Sequence, residues 1–361
     1  MSIRAAAPRM NVDRAASAEI QANAKPAATQ RIAALDFTKG ALVLIMVLYH
    51  WINYFIGPQW PYYFYLRFLT PSFIFITGFM ISNVYLAKYD AADLRLPKRL
   101  FVRGLKLMVI FIVLNVARVF ILPLLQTGAV VENPLDVRNI FIVFVSGNLS
   151  VVSGKLVSFS ILVPISYLLI FSGLLMFPYR FYGYTFHVVC VSLLASILIL
   201  GLVGAQSLNL EFVTVGMLGV LTGFMPIAAI NEFVRHPYKL AFLYGCYTIA
   251  ITVWNVPFPL LMVGVCLSLM VIYLVGARGS EPSTIRSEVI LLGKYSLFGY
   301  ISQMVILQIL SAGSRFVHLG VAVLGISFVA AFALTIVSVE FVDRARARTA
   351  GIDRLYKAVF A

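Results

Sequence analysis

Ten apolar runs divide the chain, near 39–56, 64–86, 103–122, 156–177, 181–204, 210–230, 239–254, 257–276, 290–311 and 318–341. Most approach the roughly 20 helical residues needed to cross a hydrocarbon core of about 30 Å. No other feature constrains the fold as strongly. In lipid every backbone N–H and C=O has to be satisfied within the protein, which makes the helix the natural spanning element for runs of this length. The expected fold is therefore all-α, a polytopic integral membrane protein with about ten transmembrane helices. The seventh run stops at Trp254 before Pro257 and Pro259, so its connection to the eighth has to be tight. Segment 139–155, NIFIVFVSGNLSVVSGK, is too short to span and carries Gly and Ser. It reads as interfacial or re-entrant, and re-entry demands protein or water around its open backbone.

Charge sets the orientation. The formal net charge of +14 would suit a nucleic-acid binder, but the basic residues cluster between the apolar runs and form no single stripe, which argues against nucleic acid. With the N-terminus inside, 23 of the 28 Lys and Arg fall on the cytoplasmic side, leaving Arg67, Arg118, Arg138, Lys155 and Arg315 outside. Both termini are thus expected to be cytoplasmic, in a plasma (inner) membrane. Residues 1–30, rich in Ala and scattered charge, read as a disordered cytoplasmic arm with no cleavable signal of the usual form. Residues 31–343 form the transmembrane domain and 344–361 a basic cytoplasmic tail. Cys190, Cys246 and Cys266 lie inside apolar runs without paired or metal-ligand spacing, so neither a disulfide framework nor a metal site is expected.

Within the apolar runs a few polar side chains could carry chemistry. The stretch RIAALDFTKGALVLIMVLYHWINYF, 31–55, places His50 eleven residues beyond Lys39. That is roughly 16 Å deeper at 1.5 Å per residue, about halfway through the core. An imidazole there suits a general base, or it simply bonds a neighbouring helix. Asp36 lies one turn from Lys39 and either pairs with it for function or anchors the helix end. In RFLTPSFIFITGFMISNVYL, 67–86, Pro71 is expected to kink the helix, and Thr77 and Gly78 to admit a close neighbour. Arg99, Arg103 and Lys106 share a helical face that suits anionic lipid headgroups or a phosphorylated ligand. In LLGKYSLFGYISQMVILQIL, 291–310, Tyr300 and Gln303 stand in an apolar helix, and the Gln303 amide needs a partner. Glu340 and Asp343 read as helix-end anchors, and His187, His236 and His318 sit near span ends or in loops.

Taken in order, these stretches resemble the membrane-bound acyltransferase-3 family and, more distantly, the heparan-alpha-glucosaminide acetyltransferase-like proteins. Arg31, Asp36, Lys39, Gly40 and His50 are similar to the family's first-helix pattern. Phe73, Phe75, Thr77, Gly78 and Phe79 resemble its second helix, and LGKYSLFGYISQ resembles a segment near its end. Lys39 stands where the family usually has Arg, keeping the charge without the bidentate fork, and Gln303 stands where a His is common. The resemblance implies an O-acyltransferase that moves an acyl group from cytoplasmic acyl-CoA to a hydroxyl of a glycan or lipid-linked sugar. It further implies His50, with Asp36, as catalytic residues. Lys39, Arg99, Arg103 and Lys106 would hold acyl-CoA, a co-substrate and no permanent cofactor, and Tyr300 and Gln303 would serve as substrate or oxyanion donors. Membrane lipids are the other partner. A proton-coupled transporter or flippase relaying protons through His50, or a catalytically silent membrane scaffold, are the competing readings.

Overall fold

The computed structural model describes residues 32–57, 65–86, 88–89, 93–125, 142–147, 159–254, 258–278, 283–314 and 322–360, without the side chains of 118–125. The arm expected over 1–30, and Arg138, Lys155, Arg315 and His318, lie outside the described residues. Every regular element among the described residues is helical: α1 (Ala33–Phe55), α2 (Leu69–Met80) running into a π-helical turn (Ile81–Leu86), α3 (Arg95–Leu125), α4 (Leu162–Tyr179), α5 (Thr185–Leu202), α6 (Leu208–Gly223), α7 (Ile227–Val234), α8 (Pro237–Val253), α9 (Phe258–Arg278), α10 (Thr284–Lys294), α11 (Ser296–Ser314), α12 (Ala322–Arg348) and α13 (Ala350–Phe360).

Eight of these are long and apolar enough to cross a membrane: α1, α2 with its π turn, α3, α4, α5, α9, α11 and α12. The chain is a multi-pass membrane protein. The run expected at 210–230 is divided between α6 and α7, which meet at a 98° bend, and the run at 239–254 corresponds to α8, 17 residues long. The run at 290–311 is not one helix. It breaks at Tyr295, with α10 before it and α11 after it, because Tyr295 and Lys294 turn to meet Asp343 of α12. Hydropathy averaged over the run hides this, since Lys294 and Ser296 beside the break are outweighed by the apolar residues further out.

Local signals explain several helix starts. Ser207 accepts from the Leu210 N–H at the head of α6, and Ser283 accepts from the Arg286 N–H at the head of α10, relieving amides that have no intrahelical partner. Pro237 opens α8 where its missing N–H costs nothing. Pro71 turns out to be harmless for the same reason. It occupies the first turn of α2, so the expected kink is absent there. The irregularity of this span comes at its other end, in the π turn.

Close helix pairs form where side chains are smallest. α10 lies along α1, α2 along α6, and α3 along α4. Gly40 of α1 faces the Val289 carbonyl of α10, and Gly293 of α10 faces the Asp36 carbonyl of α1, too near for a Cβ on either. Gly78 meets Gly216 in the same way between α2 and α6. Apolar burial drives little association in a bilayer, so dispersion across such backbone contacts supplies much of the binding between spans. The short helical turn at 142–145 is held by protein. Asn209 Nδ2 donates to the carbonyls of Val143 (2.8 Å) and Phe144 (3.0 Å), and the Tyr167 hydroxyl donates to Phe144 (2.7 Å). The rest of segment 139–155, read above as interfacial or re-entrant, lies outside the described residues.

Candidate functional site

Among the described residues, two cavities open between α1, α2, α3, α4, α6 and α11. The first, of about 160 Å³, is lined by Lys39, Thr77, Tyr85, Arg103, Ser296 and Tyr300 together with apolar side chains of α2, α3 and α4. The second, of about 470 Å³, is lined by residues that include Tyr49, His50, Arg67, Thr70, Asn209 and Tyr300. On α1 the first cavity's Lys39 precedes the second cavity's His50, whereas around α2 and α4 the order is reversed, Arg67 and Thr70 coming before Thr77 and Tyr85 and Ser160 before Ile165, as for spans that run antiparallel to α1. The cavities are therefore stacked, one at the basic end and one toward His50. Ile161 and Tyr300 line both and form the wall between them.

That wall is built from an unusual turn. Phe159, just ahead of α4, has φ of 62°, a left-handed conformation uncommon for an aromatic residue and costing on the order of 1–3 kcal/mol. It is held there by burial and by an edge-on contact with the Tyr300 ring at 6.0 Å.

In the basic cavity, Lys39 pairs with Asp36 at 2.5 Å. Asp36 is buried and sits behind the lysine. Arg103 Nη1 donates to the Tyr85 hydroxyl. Tyr85 belongs to the π turn, whose wider winding changes the direction of its side chains relative to the preceding α-helix. The turn is anchored to α6: Ser82 donates to the Val220 carbonyl at 2.6 Å and Asn83 to the Gly223 carbonyl at 3.1 Å, serving carbonyls left open where α6 ends. Arg99 is exposed, donates to the Tyr89 hydroxyl at 2.8 Å and lies 6.0 Å over the Tyr85 ring. Lys106 is half-buried and lines neither cavity. Of the three cations expected on one face, Arg103 reaches the cavity lining and Arg99 meets the same tyrosine from outside it.

In the second cavity, His50 is half-buried, lies edge-on to Tyr49 at 5.1 Å and makes no hydrogen bond among the described residues. Tyr49 in turn is hydrogen-bonded to Asn53 and lies within the field of Arg67. Gln303 stands one turn beyond Tyr300, fully buried, with neither amide atom hydrogen-bonded among the described residues and outside the lining of both cavities.

Beside the basic cavity, polar groups join α12, α13 and the Tyr295 break. Asp343 accepts from Tyr295 (2.6 Å) and Lys294 (3.0 Å), and Arg346 donates to the Tyr295 hydroxyl at 2.9 Å. Burial, followed by the bond to the Asp343 carboxylate, pushes the Tyr295 phenol up to about 12. The Tyr356 phenol of α13 is likewise raised by burial and partly pulled back by the charges of Arg346 and Arg103, which puts α13 close to the basic cavity. Of the remaining histidines, His236 stands at the N-cap position of α8 without a side-chain capping bond and His187 stacks on Phe224. No group of three or more His, Cys, Asp or Glu suited to a metal ion occurs among the described residues.

Sequence reasoning singled out the ends of this arrangement, Lys39, Arg103, His50 and Tyr300. It missed Tyr85 and Asn209, and it read Arg67 only as an outer-side charge. A tyrosine in an apolar run and an asparagine at a helix start gave no signal that distinguished them from packing and capping residues. The chain matches no protein-family model, no curated protein and no solved structure.

Proposed function

We propose that this chain is a membrane-embedded O-acyltransferase that moves an acyl group from cytoplasmic acyl-CoA to a hydroxyl of a glycan or lipid-linked sugar. The reading rests on one observation: a basic cavity and a histidine cavity stacked along the same helices, with Ile161 and Tyr300 between them. In this reading the spans number ten, counting the bent α6–α7 pair and α8. Both termini are cytoplasmic, the membrane is the inner one, and the basic cavity opens to the side where acyl-CoA is found.

Lys39 and Arg103 would neutralise phosphate charge at the narrow cavity, while the thin pantetheine arm runs along α1 toward His50. The acceptor enters the larger cavity. His50 takes the proton of the acceptor hydroxyl as its oxygen attacks the thioester carbonyl. The tetrahedral oxyanion collapses, the C–S bond breaks, and the departing CoA thiolate recovers that proton from the imidazolium. An imidazole with no competing hydrogen bond among the described residues is free to take the proton and then return it. Tyr300, present in both cavities, supplies the donor for the oxyanion, and Gln303 reaches the reaction only if its helix face turns. Turnover requires Ile161 or Tyr300 to move so that the cavities join.

The test is thiol release from acetyl-CoA and longer acyl-CoAs by the purified protein in nanodiscs, with membrane glycolipid extract as acceptor. Release by the wild type that falls by about 10²-fold or more in His50→Gln supports the reading, and equal release by both proteins ends the assignment of His50. The closed wall between two cavities also suits a gated passage. That second reading requires pH-coupled flux of a solute with no thiol release, so the same nanodisc and liposome preparations separate the two.

A further inference from the structure

The residues beyond α12 carry a surface that the cavities do not use. α13 begins two residues after α12 ends, so the last turn of that span holds it close to the membrane surface. One face of α13 is fixed to the protein. Arg346 donates to Asp353 through Nε (3.0 Å) and Nη2 (2.7 Å) and lies 4.1 Å over the Tyr356 ring, and Phe360 stacks on Tyr356 and meets Phe298. These contacts fix the helix in rotation as well as position.

Beside that face, Ile352, Leu355 and Val359 recur at i, i+3 and i+7, which aligns them on one stripe. Leu355 is 66% exposed and Ile352 40%. Such a stripe on a fixed helix needs a cover. Arg348 and Arg354 flank it, both exposed and without an ion pair among the described residues. Residues 344–361 hold five basic side chains and one acidic one, and the single acid, Asp353, is already engaged by Arg346 and Lys357. The surface left over is therefore apolar and cationic. A second copy would bring the same positive charge against it, whereas a leaflet of anionic phospholipid offers acyl chains to the stripe and phosphates to the arginines.

We propose that α13 is an interfacial helix that docks on anionic phospholipid, with Ile352, Leu355 and Val359 inserted at the acyl boundary and Arg348 and Arg354 on the headgroup phosphates. Long arginine stems let the charge reach the headgroups while the helix lies flat. The docking requires only that α12 crosses a bilayer, so it stands apart from the acyl-transfer reading.

The experiment places a photo-reactive phenylalanine analogue at position 355 of the full chain. The protein is reconstituted in nanodiscs of phosphatidylcholine alone or mixed with phosphatidylglycerol, and lipid adducts on the α13 peptide are counted by mass spectrometry. Adducts several-fold more abundant in the anionic discs, and reduced to the neutral-disc level by Arg348→Gln with Arg354→Gln, are the expected result. Those substitutions leave the Arg346–Asp353 fastening untouched. Absence of lipid adducts in both discs, adducts independent of lipid charge, or crosslinks to a second copy or another protein in native membranes would each overturn the proposal.

Discussion

Gln303 buries its whole carboxamide without a hydrogen bond among the described residues, and burial of that kind costs about 1–3 kcal/mol per unsatisfied group. Gln303→Leu keeps much of the shape and removes the penalty, so the variant should unfold at a higher temperature than the wild type in a detergent melt. If Gln303 takes part in turnover, the same variant loses thiol-release activity while gaining stability, a split that a purely structural glutamine does not produce. The basic residues divide as sharply. Arg103 lines the cavity and Arg99 does not. Charge-assisted bonds are worth about 1.5–3 kcal/mol, so if the basic cavity holds acyl-CoA as proposed, Arg103→Ala should weaken its binding by roughly 10- to 100-fold in a titration, with Arg99→Ala changing it by less than about threefold. Equal losses would place the phosphates along the exposed face of α3 instead. Both arginines were visible in the sequence as one face, but which of them reaches the cavity depends on the π turn that brings Tyr85 to Arg103.

At the scale of elements, the glycine contacts decide which spans pair. Gly40→Val would drive a branched side chain into the Val289 carbonyl, an overpacking that costs about 1–3 kcal/mol or more. It should lower both the melting temperature and the yield of folded protein, while Gly245→Ala, where nothing stands in the way, should leave both nearly unchanged. The fastening of α13 has a pH signature. Lys357 and then Arg346 hold the Asp353 carboxyl below its ordinary value. A group depressed in the folded state contributes stability above its unfolded pKa of about 3.9 and loses it as pH falls through the lower folded value. Amide exchange over 350–360 should therefore stay slow, relative to intrinsic rates, at neutral pH and lose protection below about pH 4. Asp353→Asn should remove most of that pH dependence. No such fastening was legible in the run of charges after Asp343, because it depends on Tyr295 interrupting what hydropathy reads as one continuous helix.

For the molecule as a whole, the distribution of Lys and Arg makes orientation the most direct prediction. Topology reporters fused after residue 361 and within 279–282 should both read cytoplasmic, and one inserted after Gly57 should read outside. Any reversal among the three breaks the ten-span count or its direction. The sequence by itself determined that the chain is helical and crosses a membrane repeatedly, because uninterrupted apolar runs have no other solution in lipid. It also marked Lys39, Arg103, His50 and Tyr300, because ionisable and polar side chains at membrane depth are costly enough to stand out. Only the tertiary structure decided that these residues line two stacked cavities divided by Ile161 and Tyr300, and that Asn209 and Tyr85 belong with them. Hydropathy and spacing report what a residue avoids along its own helix, whereas a cavity is defined by the sides that several helices, distant in the chain, leave unfilled when their glycines bring them together.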